Sequence, residues 1–299
     1  MKLAAMGECM IEVATTDRRQ AHFGFGGDTY NFAVYLARCM GSDHDIRYVS
    51  ALGDDELSAH MLNTWQTQGL STDLVFRLKD RLPGLYVITT DAGERAFHYW
   101  REQAAVRFLF NDERTAVLHR TLQGTDLIYF SGITLAILDA PSLDRLERLL
   151  SDLRRTGTKI AFDPNYRPRL WAPSDALATM ARFVSLIDIA LPGMDDHRML
   201  EPKATRDDVA AYYQDGGVHE VVIRDGENAI LTITNRDTIE IETAPVTPVD
   251  TTAAGDSFNA AYVAARMLGR DVTQAVHAGQ RLAAQVVQAH GAIMSDIDS

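Results

Sequence analysis

The sequence predicts an α/β fold in which a doubly wound, mostly parallel sheet carries a small discontinuous β lid. Three observations predict it: short apolar runs recur along the chain, helical patterns separate most of them, and two segments have strand patterns without helices. Alternating strands and helices favour a parallel sheet covered on both faces. With 299 residues, 46% of them hydrophobic, the chain is long enough to bury one large core.

The apolar runs have the length and the flanking turn residues of buried strands. They lie at 2–6, 46–52, 126–133, 159–163, 187–191 and 220–224. Helical periodicity lies between most of them, at 29–40, 57–68, 141–156 and 175–186. It is clearest at 141–156, where leucines recur three or four residues apart. Strand and helix therefore alternate along most of the chain.

Residues 9–25 and 72–101 break this alternation. In the second segment GLYVITT precedes ERAFHYW, and a turn is predicted between them at 91–93. We expect the two segments to pair as a small antiparallel sheet, the lid, within a single domain that spans 1–299. Apolar side chains beside an open sheet edge favour a homo-oligomer that pairs through the lid. These side chains are Val87, Ile88, Phe97 and Trp100.

The charge balance limits the classes of partner. The formal net charge is -12 and the pI is near 5.1, so the chain lacks the cationic surface on which nucleic-acid binding rests. All but four of its 29 cationic side chains are arginine, so a local anion site is expected to use guanidinium groups. No run of about 18 apolar residues occurs and Glu8 interrupts any signal peptide, which predicts a cytoplasmic protein without membrane contact. The two cysteines, Cys9 and Cys39, are expected to be reduced.

The strongest candidate for chemistry is DTTAAGDSF, residues 250–258, which leads into a helical pattern. Residues 253–256 are expected to form the first turn of that helix, where N–H groups lack intrahelical acceptors. Three small residues let an anion approach those donors closely, which predicts a phosphate cradle. They are Ala253, Ala254 and Gly255. Asp256 is either a capping acid or a base; the unbroken small-residue run favours the base, since capping needs no such run.

A carboxylate beside an anion cradle suits phosphoryl transfer. The backbone holds the phosphate while the acid accepts the proton of the attacking hydroxyl. No GxxxxGK[ST] sequence is present, which excludes a P-loop kinase. The glycines of FGFGGD also lack the spacing of a dinucleotide fingerprint.

A second glycine cluster, FGGDTYN at 25–31, opens a predicted helix. Asp28 and Asn31 are three residues apart, so they share one face at its entrance, where their polar groups are placed to bind sugar hydroxyls. The alternative is that Asp28 caps the helix and Asn31 is merely exposed.

GGDTYNFAVYLARCMG and DTTAAGDSFNAAY resemble the N-terminal and C-terminal signatures of the ribokinase-like carbohydrate kinases. The resemblance covers essentially the whole chain. It implies a Rossmann-like core with a β lid, ATP as the phosphoryl donor, and a divalent cation, normally Mg²⁺. It also implies that Asp256 is the catalytic base and that residues 253–255 form the anion hole.

Other stretches, among them MGECMIEV, FHYWREQAA and FDPNYRPRLW, resemble the branch of this family that phosphorylates 2-keto-3-deoxygluconate. A sugar acid brings a carboxylate, which guanidinium groups bind in a bidentate manner. The resemblance places Arg101 and Arg167 at the substrate, with Arg169 a weaker candidate, although either arginine taken alone is more typical of a surface ion pair. The further substrate contacts that it implies are Gly27, Asp28, Asn31, Tyr86 and Tyr99.

Nucleotide contacts are expected from Asn165, Arg224 and Gly226, although the turn in VVIRDGENAIL lacks the second glycine usual in the family. Many relatives carry an Asn-x-x-Glu motif that organises the metal, whereas Gly193 and Asp196 stand at those places here. No direct protein ligand for the metal is therefore expected. The carboxylate of Asp195 or Asp196 would act through water.

These features predict ATP-dependent phosphorylation of the sugar acid at its terminal hydroxyl. Two alternatives stay open. A kinase of the same family that acts on a neutral sugar, such as fructose or ribose, would not need Arg101 and Arg167 for substrate affinity. A non-catalytic sugar or nucleotide sensor on the same fold would be expected to lose Asp256.

Overall fold

The structure is a computed structural model that describes residues 1–15, 20–91 and 94–294, and within these ranges it has thirteen strands and ten α-helices. The strands are β1 (Lys2–Met6), β2 (Met10–Thr15), β3 (Ala21–Gly26), β4 (Asp45–Gly53), β5 (Val75–Leu78), β6 (Leu85–Asp91), β7 (Glu94–Trp100), β8 (Leu127–Ser131), β9 (Lys159–Asp163), β10 (Ile189–Ala190), β11 (Glu220–Ile223), β12 (Ile230–Thr234) and β13 (Thr238–Ile241). The helices are α1 (Asp28–Met40), α2 (Glu56–Thr67), α3 (Asp112–Thr121), α4 (Gly132–Ala136), α5 (Ala140–Arg155), α6 (Pro173–Phe183), α7 (Met194–Leu200), α8 (Arg206–Asp215), α9 (Ala254–Met267) and α10 (Val272–Val286). Short 3₁₀ helices lie at Ala105–Phe108 and Val184–Leu186. None of the helices in these ranges combines the length and the apolarity needed to cross a bilayer.

The six predicted strands and the four predicted helices are all present, with ends shifted by up to three residues. The predicted run 126–133 ends early because the Ser131 hydroxyl accepts a hydrogen bond from the Thr134 N–H and so caps α4. The predicted helix 175–186 ends at Phe183, and Val184–Leu186 continues it as a 3₁₀ helix. The pattern therefore located the elements better than their ends.

The main sheet has the strand order β13-β12-β11-β10-β9-β8-β1-β4-β5. Neighbouring strands are parallel from β11 to β5, while the β11–β12 and β12–β13 pairs are antiparallel. The order reverses beside β1, which lies between β8 and β4. In open sheets of this kind, ligands bind beyond the carboxyl ends of the strands near such a reversal. The predicted doubly wound, mostly parallel sheet is confirmed.

Helices cover both faces of this sheet. Ala4 and Met6 enter one core, with side chains of α5, α6 and α8, whereas Leu3 and Ala5 enter the other, with side chains of α1, α9 and α10. Alternate residues of β1 thus face opposite cores, as the pleat of a strand requires. The predicted leucine stripe of α5 is buried, which fixes that helix on the sheet.

The second sheet has the order β3-β2-β6-β7 and forms the lid. The β2–β6 pair is parallel, so the predicted antiparallel arrangement is wrong for this pair. Both strands leave the main sheet in the same direction, because β2 continues from β1 and β6 follows β5. Val75–Leu78, although inside the range predicted for the lid, pairs with β4 in the main sheet. Residues 92 and 93 of the predicted turn, and 16–19 of the first lid segment, lie outside the described residues.

Candidate active site

The candidate site lies where strands of the main sheet end and α1 and α9 begin. Glu8 follows β1 by two residues, Asp163 ends β9 and Arg224 follows β11. The carboxyl ends of parallel strands share one edge of a sheet. Charged side chains of three separate segments are therefore brought to this edge.

The first turn of α9 has the geometry expected for an anion site. Ala253, the N-cap, has a left-handed backbone, with φ 62° and ψ 13°. The N–H of Ala254 turns back to the Thr251 carbonyl at 3.3 Å, while the Ser257 N–H bonds to the Ala253 carbonyl at 2.9 Å. The N–H groups between them, of Gly255 and Asp256, belong to the turn whose donors lack intrahelical acceptors. Those two N–H groups are therefore the donors that a phosphate would meet first.

The absence of a side chain at Gly255 leaves space for the guanidinium group of Arg224. A Cβ atom at this position would collide with Nη1 of Arg224. The guanidinium group of Arg224 thus lies against the first turn of α9, and its Nη2 donates to Asp163 at 3.0 Å and to the Leu191 carbonyl at 2.8 Å. Its Nε is buried and has no partner among the described atoms. An anion at this turn would meet a positive side chain as well as backbone donors.

Asp256, the second residue after Ala254, receives a hydrogen bond on Oδ2 from the Asn31 amide at 2.8 Å. Burial, the largest effect, and the nearby carboxylates of Asp28 and Asp163 raise the pKa of Asp256 to about 7. The Asn31 amide and the Arg167 guanidinium oppose this shift. A carboxylate with a pKa near neutrality is suited to general base catalysis.

A polar network connects α1 to α9. Asn165, in a left-handed conformation with φ 34°, donates to Asp28 Oδ2 at 2.7 Å, and its backbone N–H bonds to Asp163 at 3.0 Å. Asp163 also accepts from Asn259 of α9 at 2.6 Å. Burial raises the pKa of Asp163 to about 6, although Arg224 opposes the shift. One buried carboxylate thus fixes the positions of groups from β9, β11 and α9.

The entrance of α1 differs from the capping alternative. Gly27 is the N-cap, and Asp28 is the first helical residue, bonded to Asn165. A Cβ on Gly27 would collide with the Glu8 carbonyl, so only glycine allows this close approach. Asn31 is buried and bonded to Asp256 rather than merely exposed.

Arg101 is buried and donates through Nη2 to Glu8 Oε2. Arg167 is about half exposed and donates at 2.8 Å to Asp196 and to the Tyr166 carbonyl. Burial lowers the pKa of Arg167, but the carboxylates of Asp196, Asp28 and Asp256 more than offset it. The two predicted arginines therefore have different neighbours: Arg101 pairs with Glu8, whereas Arg167 is close to the Asp256 carboxylate.

The two predicted tyrosines lie on paired lid strands. Tyr86 is buried and donates to Glu12 Oε2, while Tyr99 is exposed; their rings are 5.9 Å apart. Arg169, the weaker candidate, reaches the lid by donating to the Phe97 carbonyl at 2.7 Å. The core loop that carries Arg167 is thus in direct contact with β7.

The predicted nucleotide turn follows β11. Gly226 has φ 59° and is exposed, consistent with its need for a left-handed conformation. Asp225 is held by two hydrogen bonds from Arg198, at 2.8 and 3.1 Å. This ion pair fixes the turn against α7.

Sequence reasoning missed three side chains that hold the predicted residues in place: Glu8, Glu12 and Asn259. It also did not pair Asp196 with Arg167. Asp163 is only the last residue of the predicted strand at 159–163. One signal was available for Glu8 and Asp163, because a charged side chain directly after a buried parallel strand lies at the binding edge. Asn259 follows Asp256 by three residues on the same helix, which places both on one face.

Comparisons with known proteins identify a family and a shared fold. A family model described as pfkB family carbohydrate kinase matches residues 1–298. The chain is 42% identical over 299 residues to 2-dehydro-3-deoxygluconokinase of Dickeya dadantii strain 3937, covering 98% of this chain and 96% of that protein. It is 39% identical over 300 residues to the protein of the same name from Escherichia coli K12, covering 98% and 97%. A crystal structure of a candidate ribokinase II from E. coli with ATP and Mg²⁺ shares the fold, with a TM-score of 0.83, 22% identity and coverage of 97% and 94%.

Proposed function

This chain belongs to the pfkB family of carbohydrate kinases, and on that basis we propose that it transfers the terminal phosphoryl group of ATP to 2-dehydro-3-deoxygluconate, also called 2-keto-3-deoxygluconate, to form the 6-phosphate. The observation that carries the proposal is Asp256, a carboxylate of raised pKa beside the first turn of α9. The two relatives above, both named 2-dehydro-3-deoxygluconokinase, support the choice of acceptor.

Asp256 acts as the general base in this proposal. Its Oδ2 is held by Asn31, and the other carboxylate oxygen faces the terminal hydroxyl of the acceptor. The base accepts the hydroxyl proton as the new O–P bond forms, late in a loose transition state. Because its pKa is close to 7, Asp256 is deprotonated in part of the protein at neutral pH and a stronger base than an ordinary aspartate.

In this proposal, residues 253–255 and Arg224 form the part of the site that binds the phosphates of ATP. The turn donates backbone N–H groups, and Arg224, fixed by Asp163, adds a positive charge on the same side of Gly255. Asn165 and Gly226 complete the nucleotide contacts that we propose. These groups bind and orient the phosphates, which is the larger part of catalysis in phosphoryl transfer.

Magnesium fits this site only as a companion of the nucleotide. Within residues 1–15, 20–91 and 94–294, no group of three or more His, Cys, Asp or Glu side chains is arranged to hold a metal ion. Asp196 is bonded to Arg167 and Asp195 to Arg198, at 2.8 and 3.4 Å. Either carboxylate would contact the ion through water, and the bound ion supplies charge neutralisation for the phosphates.

In this proposal, the sugar acid binds between the lid and the start of α1. We propose that Arg101 binds the substrate carboxylate, with Arg167 between the acceptor and the phosphates, where Asp256 is near. Hydroxyl contacts come from Asp28, Asn31, Tyr86 and Tyr99, and Gly27 lets the backbone approach the sugar.

A coupled assay of ADP release over a panel of sugar acids and neutral sugars tests the acceptor. We expect 2-dehydro-3-deoxygluconate to have the highest kcat/KM, and Arg101→Ala to raise its KM by about 10- to 100-fold, the effect of losing a hydrogen bond between charged groups. Equal turnover of fructose or ribose, or an unchanged KM in Arg101→Ala, would overturn the sugar-acid assignment.

The catalytic role of Asp256 is tested separately. Asp256→Asn keeps the side-chain shape and is expected to lower kcat by about 10²- to 10⁴-fold. Binding of ATP, measured by calorimetry, should persist. Ligand binding without any turnover in the wild-type protein would instead favour a sensor.

We further propose that the protein works in the cytoplasm and that two copies pair through the lid. Phe23 of β3 and Trp100 of β7, the two edge strands of the lid, are 48% and 61% exposed, and apolar side chains on an open strand edge favour pairing with another chain. Light scattering after size exclusion should give twice the chain mass, and Trp100→Glu should reduce it to one chain. A wild-type monomer would contradict the pairing.

A further inference from the structure

The ion pair between Glu8 and Arg101 leaves hydrogen-bonding groups unused. Arg101 Nη2 donates to Glu8 Oε2, and the two side chains are 9% and 2% exposed. Glu8 Oε1 and Arg101 Nε are buried and have no partner among the described atoms. An unsatisfied buried carboxylate oxygen and an unsatisfied N–H both cost free energy. They are therefore groups that a bound ligand can satisfy.

The surroundings keep Glu8 in place. A Cβ on Gly84 would lie 2.6 Å from Glu8 Oε1, and a Cβ on Gly27 would collide with the Glu8 carbonyl. The backbone of two segments thus packs against this residue, one before β6 and one before α1. This close packing and the 2% exposure of the side chain oppose movement of Glu8 to solvent when a second carboxylate binds at Arg101.

The charges that face Glu8 come from several elements. Arg101 of the chain after β7 and Arg107 of the 3₁₀ helix favour the ionised form, whereas Asp28 of α1 disfavours it. The Cys9 thiol and the Tyr48 hydroxyl of β4 also lie within its electrostatic reach. Burial outweighs the two arginines and raises the pKa of Glu8 above its ordinary value. Before any ligand binds, the ionised form of Glu8 is therefore less favoured than that of a glutamate in water.

We propose that Glu8 takes up one proton when the carboxylate of the acceptor binds Arg101, and that the protonated Oε1 donates a hydrogen bond to that carboxylate. The inference rests on the proposed function. Two carboxylates that share one buried guanidinium group repel each other, which favours protonation of one of them. Solvent supplies the proton, an O–H bond forms at Glu8, and no other covalent bond changes. Glu8 is thus a specificity-determining residue for an acid. A neutral sugar brings no second negative charge to Arg101, so its binding does not favour protonation of Glu8.

The proposal fixes the sign of a pH effect. If binding takes up a proton, the affinity for the acid falls as pH rises, by up to about tenfold per pH unit between the pKa of Glu8 in the free protein and its higher pKa in the complex. The affinity for ATP does not share this dependence on Glu8.

Isothermal titration of 2-dehydro-3-deoxygluconate into the full-length protein measures the uptake directly. Titrations without nucleotide, at one pH in buffers of different ionisation enthalpy, give the number of protons bound per acid. For the wild-type protein, repeated from pH 6 to 9, we expect a maximum close to one. Glu8→Gln keeps an oxygen that accepts from Arg101 but cannot titrate, so its value should fall close to zero. Glu147→Gln, the same change on α5, where Glu147 pairs with Arg182 outside the proposed site, should retain the uptake.

Three results would overturn the proposal. The first is acid binding whose heat does not depend on the buffer in the wild-type protein. The second is uptake of the wild-type size in Glu8→Gln, and the third is its loss in Glu147→Gln alone. The wild-type series decides the matter even if Glu8→Gln does not fold. Absence of any acid binding, with ATP binding intact, would count against the proposed function instead.

Discussion

At the scale of the residue, Asp256 as the proposed base and the groups around it set the pH at which the site can work. Asp256 is held between two opposing influences: burial and nearby carboxylates raise its pKa, while the Asn31 amide lowers it. Perturbed carboxylates of this kind are typical of catalytic sites. Asn31 therefore has a role besides the proposed contact with a sugar, because its hydrogen bond favours the ionised form of Asp256.

We predict a pH dependence of kcat with one acidic limb close to pH 7. A general base must be deprotonated, so kcat rises with pH through the pKa of Asp256 and then levels off. Asn31→Ala removes a donor that favours the ionised form of Asp256. The pKa of Asp256, and with it the acidic limb of kcat, should therefore rise by about one pH unit, since a hydrogen bond to a charged group contributes about 1.5 kcal/mol or more.

The measurement is kcat at saturating substrates from pH 5.5 to 9.5. Recovery of Asn31→Ala at high pH separates a pKa effect from general damage. A limb that stays in place, or moves to lower pH, would contradict the assignment of Asp256 as the group that titrates.

At the scale of the element, the first turn of α9 combines a strained backbone with a tightly packed glycine. Ala253 has φ 62°, a left-handed conformation that costs a residue with a Cβ about 1 kcal/mol. Gly255 lacks the side chain that would displace Arg224. The turn proposed to bind the phosphate therefore keeps its shape at some cost in stability.

The strain at Ala253 predicts a stabilising substitution. Ala253→Gly removes the Cβ and should raise the free energy of unfolding by about 0.5 to 1 kcal/mol, measured by urea denaturation. Ala254→Gly is the matched control, because Ala254 is already inside the helix. It should lower the stability by up to about 1 kcal/mol. Destabilisation of the same size in both variants would argue against strain at Ala253.

The packing of Arg224 on Gly255 predicts non-additive effects. Gly255→Ala should push the guanidinium group away and raise the KM for ATP by about tenfold, the effect of one lost charged contact. In an Arg224→Ala background the same substitution should have a much smaller effect, because the group with which it collides is gone. Additive losses in the double variant would show that Arg224 does not mediate the effect.

At the scale of the whole molecule, the lid is tied to the core by side chains: Ile11 belongs to one core cluster and Leu85 packs against it, and polar and aromatic contacts add to them. Arg169 donates to the Phe97 carbonyl, Arg101 pairs with Glu8, and Phe25 of β3 packs edge-on against His60 of α2 at 5.4 Å. These contacts bridge two sheets that share no strand. The position of the lid over the site is therefore determined by side chains rather than by the sheet ladder.

The Arg169 contact predicts a change in binding more than in chemistry. Arg169→Ala should raise the KM for the sugar acid by about two- to tenfold, the effect of one partly exposed hydrogen bond, and change kcat by less than about twofold. Arg155→Ala is the control, because its ion pair with Asp152 lies within α5. Steady-state kinetics of both variants decide the matter; a loss confined to kcat would place Arg169 in the chemistry instead.

The sequence by itself determined the α/β class, the main elements and the two motifs at the starts of α1 and α9. These are local properties, because hydrophobic period, glycine clusters and helix entrances depend on neighbouring residues. The ends of β8 and β10 were less well predicted, since capping by Ser131 and pairing within the sheet decide them.

Only the tertiary structure decided which charges meet. The partners of Arg101, Tyr86 and Arg167 are Glu8, Glu12 and Asp196, separated from them along the chain by 93, 74 and 29 residues. The parallel pairing of β2 with β6 in the lid also joins segments that are distant along the chain. A pattern of residue types cannot specify such pairs, because the fold brings distant segments together and burial then fixes which polar groups must satisfy one another.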